Sequence, residues 1–330
     1  MKGYFISVLL LVVMLSCTSK HKEKKNGDHY PTKVLTNNVL TAHVLIPNAE
    51  HGYYRSTRFD WSGIIAQVEY QGHTYFQEWQ DYNGTITPGK HDPLNAGTAT
   101  GTAEEFRDPQ GFTEARAGEP FLKIGVGVLE KANDSAYHWD YPYKFIEKGQ
   151  WDIETTKNSI RFTQEFYTTF GYAYHYEKNI VLVENKPEIK INHCLKNIGT
   201  KDIFINPYCH NFFMFDKQPI NTDYRIEFPK PITLIKGFDS RVTIQENQLK
   251  LNESLSDDDW TGGHIDPGLT KEYVLSNNKT KTAVKVISDV NHGPFYIHLT
   301  EQSFCPEPMV EFSIKPNEES KWTRIYQFIK

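Results

Sequence analysis

The 330-residue chain is poor in cysteine, in basic clusters and in long apolar runs. Three of its four cysteines, Cys194, Cys209 and Cys305, lie beyond residue 35, and their spacing matches neither a disulfide framework nor a zinc site. The net charge is −5 and no basic block follows residue 35, which argues against a nucleic-acid partner. The sequence also lacks Gly-x-Ser-x-Gly and His-Glu-x-x-His motifs, which weakens a serine hydrolase or zinc protease interpretation.

The N-terminal residues have the pattern of an export signal. Lys2 precedes an apolar run over residues 4–16, which is shorter than the roughly 20 residues that a membrane-spanning helix needs. The run is therefore typical of a signal-peptide core. Met14-Leu15-Ser16-Cys17 resembles a bacterial lipobox, so we expect a signal peptide over 1–17 and lipidation of Cys17. The alternative is an ordinary cleaved signal peptide in which Cys17 is incidental.

A charged stretch follows Cys17 and contains almost no apolar residues, so we expect a solvated tether over residues 18–35. Its basic character differs from the acidic stretch that marks surface-exported lipoproteins in some Gram-negative groups. The expected location is thus the bacterial cell envelope, with a lipid anchor as the contact with the membrane and the chain facing the periplasm.

Residues 36–330 have the pattern of an all-β protein. Runs of alternating or β-branched residues, such as 160–166, 174–183 and 188–195, are separated by turn residues, whereas helical periodicity is nearly absent. We therefore predict one domain, built as a large antiparallel β-sandwich. Residues 83–120 are rich in Gly, Pro and Thr and are predicted to be an irregular segment, which is usually functional or mobile in a compact domain.

Three residues are candidates for acid–base chemistry. His210 follows a predicted strand, and a histidine side chain can donate a proton near neutral pH. Glu307 lies between two prolines that stiffen its backbone, which suits a general base. Glu301 is the rival base. The alternatives are a core histidine and solvated carboxylates at strand ends.

The segment 52–63 combines arginine with aromatic residues. Arg58 offers paired planar donors to hydroxyl or carboxylate groups, and Trp61 offers a stacking face. The alternative is an Arg–Asp surface pair beside a buried tryptophan. His91 is either a substrate-facing loop residue or part of a turn, and its Asp-Pro context favours the turn. Asp257-Asp258-Asp259 lacks the EF-hand pattern and is interpreted as an acidic turn.

Two short motifs resemble those of the galactose mutarotase-like superfamily, which includes aldose 1-epimerases. The family carries its acid histidine in an Asn-x-x-x-His-x-Tyr-Phe segment, to which Asn206–Phe213 is similar, with Phe212 in place of the tyrosine. It carries its base in a Cys-x-Glu strand followed by a Leu-x-Pro-Gly-Glu turn. Cys305-Pro306-Glu307 and Ile314–Glu318 resemble these, with Asn317 in place of the glycine.

The resemblance covers most of residues 40–330. It implies a supersandwich of antiparallel sheets with a sugar or oligosaccharide bound in a cleft, and its chemistry needs no redox cofactor. No residue is assigned as a metal ligand, and the metal requirement is left open. It implies that His210 is the acid and Glu307 the base of an aldose 1-epimerase. Arg58 is similar to the family's early substrate-facing arginine, and His91 stands in a poorer match for its second histidine. Tyr208 and Asn211, within the histidine segment, are expected to contact the substrate.

Two other functions remain open from the sequence. An acid–base pair on this fold could serve a polysaccharide lyase or hydrolase, because one fold hosts several activities. A glycan-binding lipoprotein without catalytic activity is the third possibility.

Overall fold

The computed structural model describes residues 30–78, 91–256 and 259–330, and these residues form antiparallel β-strands with one short 3₁₀ helix, Phe215–Lys217. The predicted all-β class is confirmed. In chain order the strands are β1 (Thr32–Thr36), β2 (Leu40–Leu45), β3 (Ile65–Tyr70), β4 (His73–Thr74), β5 (Thr102–Phe106), β6 (Pro120–Lys123), β7 (Gly127–Glu130), β8 (Lys144–Lys148), β9 (Asp152–Thr155), β10 (Ser159–Tyr167), β11 (Ala173–Leu182), β12 (Glu188–Asn197), β13 (Ile203–Ile205), β14 (Pro207–Asn211), β15 (Tyr224–Glu227), β16 (Thr233–Gly237), β17 (Val242–Gln245), β18 (Gln248–Leu251), β19 (Trp260–Asp266), β20 (Thr270–Asn277), β21 (Thr282–His292), β22 (Phe295–Thr300), β23 (Ser303–Pro308), β24 (Phe312–Ile314) and β25 (Glu319–Ile329).

One sheet of ten strands, in the order β17-β18-β15-β20-β21-β25-β12-β11-β10-β9, forms the largest layer. Smaller sheets cover its inner face: β1-β2-β3-β4, β16-β19-β22-β23, β6-β7-β8, and the pairs β14-β5 and β13-β24. The main core lies between these layers, where Ile180 and Leu275 of the large sheet share one apolar cluster with Val44 and Ile297 of the smaller sheets. This is the sandwich that the strand pattern predicted.

Side-chain alternation explains how the large sheet makes its face. In β12, Ile189, Ile191, His193 and Leu195 are buried while the residues between them are more exposed. Successive side chains in a strand point to opposite faces, so alternation with a period of two assigns one face to the core. A histidine therefore occupies a position where an apolar residue is the usual choice.

The predicted boundary of the tether at residue 35 is wrong. β1 begins at Thr32 and pairs along its length with β2, with Thr32 opposite Leu45, and Leu35 is fully buried. Burial of Leu35 and the ladder of backbone hydrogen bonds with β2 hold this segment in the domain. The predicted signal peptide, Cys17 and residues 18–29 of the tether lie outside the described residues.

The irregular segment predicted over 83–120 contains a strand. β5 lies within it, pairs with β14, and is buried at all five positions. Residues 83–90 lie outside the described residues. A strand containing Glu104 and Glu105 lacks the apolar alternation that reveals most strands, since each carboxylate is buried beside a basic partner.

No helix among the described residues has the length and apolarity needed to cross a membrane.

Gly101 gives a test of how β5 enters the domain. It has φ of +56°, and a Cβ at this position would lie 1.7 Å from the carbonyl oxygen of Ile65. Gly101→Ala should therefore destabilise the protein by more than the about 1–2 kcal/mol expected for the left-handed backbone alone. Gly118 is the matched control, since it has φ of +85° and open space around it. Urea unfolding of both alanine variants measures the difference, and equal losses would contradict the close approach to Ile65.

Candidate functional site

The antiparallel pair of β5 and β14 sets the geometry of the site. Tyr208 lies opposite Glu105, and His210 lies opposite Ala103. Tyr208, His210 and Glu105 therefore project from one face of this pair, while Cys209 and Glu104 project from the other. The hydroxyl of Tyr208 donates a hydrogen bond to Glu105 at 2.6 Å across this pair.

Strand β23 brings Glu307 to the same place. Isolated bridges join Tyr208 to Met309 and Phe213 to Phe304, so β23 runs beside β14. The Nε2 atom of His210 lies 3.0 Å from Oε1 of Glu307, and both side chains are almost completely buried. The two residues that the sequence proposed as acid and base are thus in direct contact.

Burial shifts the proton affinities of this pair. It raises the pKa of Glu307 to about 7 against the opposing effect of Arg58, because the ionised carboxylate loses its hydration. Burial also lowers the pKa of His210 well below its ordinary value, and the neighbouring Arg58 lowers it further. The pair therefore has one proton that titrates near neutral pH, and because the two groups are in contact this titration is a property of both.

Arg58 is the main cation beside the pair. Its Nε donates to Oε2 of Glu105 at 2.7 Å, and its Nη2 donates to the hydroxyl of Tyr208 at 2.9 Å. The guanidinium carbon lies 4.0 Å from the ring centre of Trp139 and 4.5 Å from that of Phe59. Two polar partners and two aromatic rings thus hold the guanidinium in one orientation.

Glu105 has Lys123 as a second cationic partner. Nζ of Lys123 lies 3.5 Å from Oε1 of Glu105 and 3.0 Å from the hydroxyl of Tyr137. Burial alone would raise the pKa of Glu105, but Arg58 and Lys123 outweigh burial and leave that pKa lowered. Burial lowers the pKa of Lys123 to about 8, although Glu105 opposes this shift. Glu105 is therefore an ionised carboxylate that anchors Arg58.

A cavity of about 850 Å³ opens over these residues. Its volume lies within the range of about 300–1,000 Å³ typical of small-molecule sites. Charged, polar and aromatic side chains mix in its walls, which are formed by Arg58, Glu105, Arg107, Asp108, Pro109, Phe112, Thr113, Lys131, Asp134, Ser135, Ala136, Tyr137, His138, Trp139, Tyr208, His264, Tyr296, Glu307 and Met309.

Three of the predicted site residues, Arg58, Tyr208 and Glu307, line this cavity. His210 is not one of the described residues that line the cavity. It is connected to the cavity through its contact with Glu307. Asn211 lies on the opposite face of β14. Its amide donates to the carbonyl oxygen of Pro306 at 3.1 Å and so ties β14 to β23.

The other predicted residues lie elsewhere. Trp61 is buried, stacks on Trp151 with 5.9 Å between ring centres, and contributes to a hydrophobic cluster. His91 has Nδ1 at 2.7 Å from Glu78 and Nε2 at 2.6 Å from the carbonyl oxygen of Tyr53. Glu301 lies in the turn between β22 and β23. None of the three is a lining residue of the cavity in the described part of the chain.

A second set of buried charges lies behind β5. Glu104 accepts two hydrogen bonds from the guanidinium of Arg324, at 2.8 Å and 3.3 Å. Burial would raise the pKa of Glu104, but Arg324 and His193 outweigh burial and lower it to about 2. Lys178 donates to the carbonyl oxygen of Ser62 at 2.7 Å and lies 3.5 Å from Asp60. These contacts fix the position of β5 from the side opposite to the cavity.

Sequence reasoning missed Glu105, Lys123, Trp139, Tyr296 and His264. Glu105 and Lys123 carry one signal, since two adjacent glutamates and an isolated lysine within apolar surroundings are unusual for buried strands. Trp139, Tyr296 and His264 had no local pattern that distinguished them from core residues, and only the packing of the strands brings them to the cavity.

The Arg58–Glu105 pair predicts a stability effect. Arg58→Met leaves the Glu105 carboxylate buried without its guanidinium partner, which should cost about 3–5 kcal/mol in the free energy of unfolding. The double variant Arg58→Met/Glu105→Gln should recover part of the loss, because it removes the carboxylate that keeps only the more distant Lys123 as a cationic partner. Urea unfolding measures both. Arg161→Met is the control, since Arg161 is half-exposed and pairs with Glu154 at 3.4 Å. A loss for Arg58→Met as small as that of the control would contradict the buried pair.

Comparison with solved structures gives the wider fold. No family profile and no curated protein matches the sequence. A putative aldose 1-epimerase from Escherichia coli K12 is similar in structure, with a TM-score of 0.57, 13% identity, and coverage of 90% of this chain and 98% of that one. A protein from Synechocystis sp. PCC 6803 has a TM-score of 0.56 at 10% identity, with coverage of 94% of this chain and 99% of that one. A galactose 1-epimerase from Lactobacillus acidophilus NCFM has a TM-score of 0.50 at 11% identity, with coverage of 90% of this chain and 93% of that one.

These likenesses show that the chain has the galactose mutarotase-like fold, in agreement with its large antiparallel sheets. Because the sequence identities are low, these similarities show the fold alone, and the activity has to be argued from the residues of the site.

Proposed function

We propose that this protein is an aldose 1-epimerase-like enzyme that interconverts the anomers of a sugar. The observation that carries the proposal is the buried contact of 3.0 Å between His210 and Glu307 at the wall of a large cavity. The fold shared with aldose 1-epimerases supports it as well. Anomer exchange requires one proton to leave the anomeric hydroxyl and one to reach the ring oxygen, which an acid–base pair can supply without a cofactor.

In the proposed mechanism, the shared proton moves along the contact from Glu307 to His210 and leaves a carboxylate. Glu307 removes the proton from the anomeric hydroxyl while His210 protonates the ring oxygen. The bond between the anomeric carbon and the ring oxygen breaks, and an open-chain aldehyde forms. Rotation about the C1–C2 bond and closure by the reverse proton transfers give the other anomer.

Binding must rearrange the resting pair. His210 is only 3% exposed, and Glu307 stands between it and the cavity. We propose that the hydroxyl edge of the sugar replaces the direct hydrogen bond, so that the two groups meet the anomeric hydroxyl and the ring oxygen. Catalytic hydrogen bonds often take their final geometry in the complex with substrate.

Arg58 and Tyr208 would orient the sugar. Both line the cavity, and both are fixed by hydrogen bonds to Glu105. A held guanidinium loses little conformational entropy when it binds a hydroxyl group, which favours precise placement of the ring. Glu301 lies outside the cavity walls, so we assign the role of base to Glu307.

The location of the protein is a separate proposal. We propose a lipid anchor at Cys17 and a position in the bacterial envelope facing the periplasm, on the evidence of the apolar run and lipobox-like residues at the N-terminus. Radiolabelled palmitate should be incorporated into the full chain and not into Cys17→Ser. Equal labelling of the two chains would contradict the anchor.

Variants of the pair test the proposed activity. Glu307→Gln and His210→Ala should each lower the enzymatic rate of anomer exchange by about 10²–10⁴-fold, the usual contribution of a general acid or base. Proton NMR of the exchange between anomers of hexoses, pentoses and uronic acids measures this rate, after the uncatalysed rate is subtracted. Glu301→Gln is the control and should keep the full rate. Unchanged exchange in both pair variants would contradict the mechanism, and saturable binding without exchange would indicate a glycan-binding protein.

The shared proton predicts the pH dependence. The active form carries one proton on the pair, and that proton is lost as the pH rises through the pKa of about 7 raised by burial of Glu307. The value of kcat/KM should therefore fall between pH 6 and pH 8, an interval set by that pKa. It should fall again in acid, where the pair takes up a second proton. A rate that rises steadily across neutral pH would contradict a shared proton.

A further inference from the structure

One wall of the cavity continues into an aromatic surface. His264 of β19 lies opposite Tyr296 of β22, and Tyr296 lies opposite Glu307 of β23. Trp260 and His298 lie on the same face of this sheet, because each is an even number of residues away from the cavity residue in its own strand. We name Trp260, His264, Tyr296 and His298 the aromatic strip.

The rings of the aromatic strip are in mutual contact. Ring centres are 4.9 Å apart for His264 and Tyr296, 6.3 Å for Tyr296 and His298, and 5.5 Å for His298 and Trp260. The strip therefore leads from the cavity, which His264 and Tyr296 line, to Trp260, which is 37% exposed.

Gly262 keeps this surface continuous. It lies between Trp260 and His264 in β19, and a Cβ there would stand 2.8 Å from the hydroxyl of Tyr296 and 3.2 Å from the ring of Trp260. The missing side chain lets the ring of Tyr296 extend over the strand toward the tryptophan. A larger residue would divide the aromatic surface from the cavity.

We infer that Trp260 forms a subsite for a second sugar ring, so that the substrate is the reducing end of an oligosaccharide. This inference rests on the proposed function, which places the reducing-end ring beside Glu307. His264 and Tyr296 line the cavity, whereas Trp260 lies beyond its lining residues. A second ring linked to the one in the cavity would therefore lie on the aromatic strip.

The chemistry of the strip favours a sugar as its occupant. Aromatic rings offer an apolar face with negative charge density, and the C–H faces of a pyranose are apolar and weakly positive. Tyr296 and His264, which are both partly exposed, add polar edges that can bond to hydroxyl groups, while His298 is buried between Tyr296 and Trp260. An exposed tryptophan continuous with a polar cavity is the mixture that a stacked and hydrogen-bonded ring needs.

The test compares saccharides of different length on Trp260→Ala. The wild-type protein should show a higher kcat/KM for cellobiose, maltose or lactose than for glucose or galactose. Trp260→Ala should lower kcat/KM for the preferred disaccharide about tenfold more than for its monosaccharide, the size of effect expected for one lost aromatic contact. Trp260→Phe should retain most of the preference, since it keeps an aromatic face.

Tyr167→Ala is the matched control, because Tyr167 is a 66% exposed aromatic residue in β10, on the other sheet. It should leave both rates unchanged. Equal kcat/KM values for mono- and disaccharides, unaffected by Trp260→Ala, would overturn the subsite and leave the proposed function standing.

A binding measurement separates the subsite from catalysis. Calorimetric titration of Glu307→Gln with the same disaccharides should show binding that Trp260→Ala in that background weakens about tenfold. If the wild-type protein turns over no sugar but this binding is present, the subsite is supported and the proposed activity fails. Absence of binding in this background overturns the subsite.

Discussion

Two adjacent buried carboxylates, Glu104 and Glu105, set the constraint on which the rest of the site depends. They project from opposite faces of β5, and each needs a cation because an unpaired charge in the interior costs several kcal/mol. Arg324 from β25 meets Glu104, and Arg58 meets Glu105. The strand is thereby held between the large sheet and the cavity, and its partner β14 carries His210 into position.

Burial makes these ion pairs necessary, and it also sets the pKa values of the carboxyl groups at the cavity. In a low-dielectric environment the carboxylate of Glu105 stays ionised, because its cationic partners lower its pKa. Glu307 faces His210, and burial raises its pKa to about 7, so it stays protonated until the pH approaches that value. Two glutamates near one arginine thus differ in protonation. Glu105 orients Arg58 and Tyr208, whereas Glu307 is the group that we propose exchanges a proton with the sugar. The aromatic strip then extends the polar cavity toward solvent without adding charge.

The sequence predicted the parts of this arrangement that have a local pattern. Alternating residues marked the long strands, and the short motifs around His210 and Glu307 marked two segments that the structure brings into contact. β5 was missed because a strand buried through ion pairs has no apolar alternation. Trp61 stood in a segment with the expected composition, yet its indole stacks in the core on Trp151. Whether an aromatic residue faces a cavity or a core depends on strand packing, which the sequence does not show locally.

The proposed chemistry depends on one proton that titrates on the buried His210–Glu307 pair near neutral pH. Infrared difference spectra across a pH titration, taken for the wild-type protein and for Glu307→Gln, measure the protonated carboxyl group directly. We expect a carboxyl band, absent from the variant, that disappears as the pH rises, with a midpoint near the Glu307 pKa of about 7. A wild-type carboxyl group that ionises in the ordinary range of a solvated glutamate, at about pH 4, would contradict it.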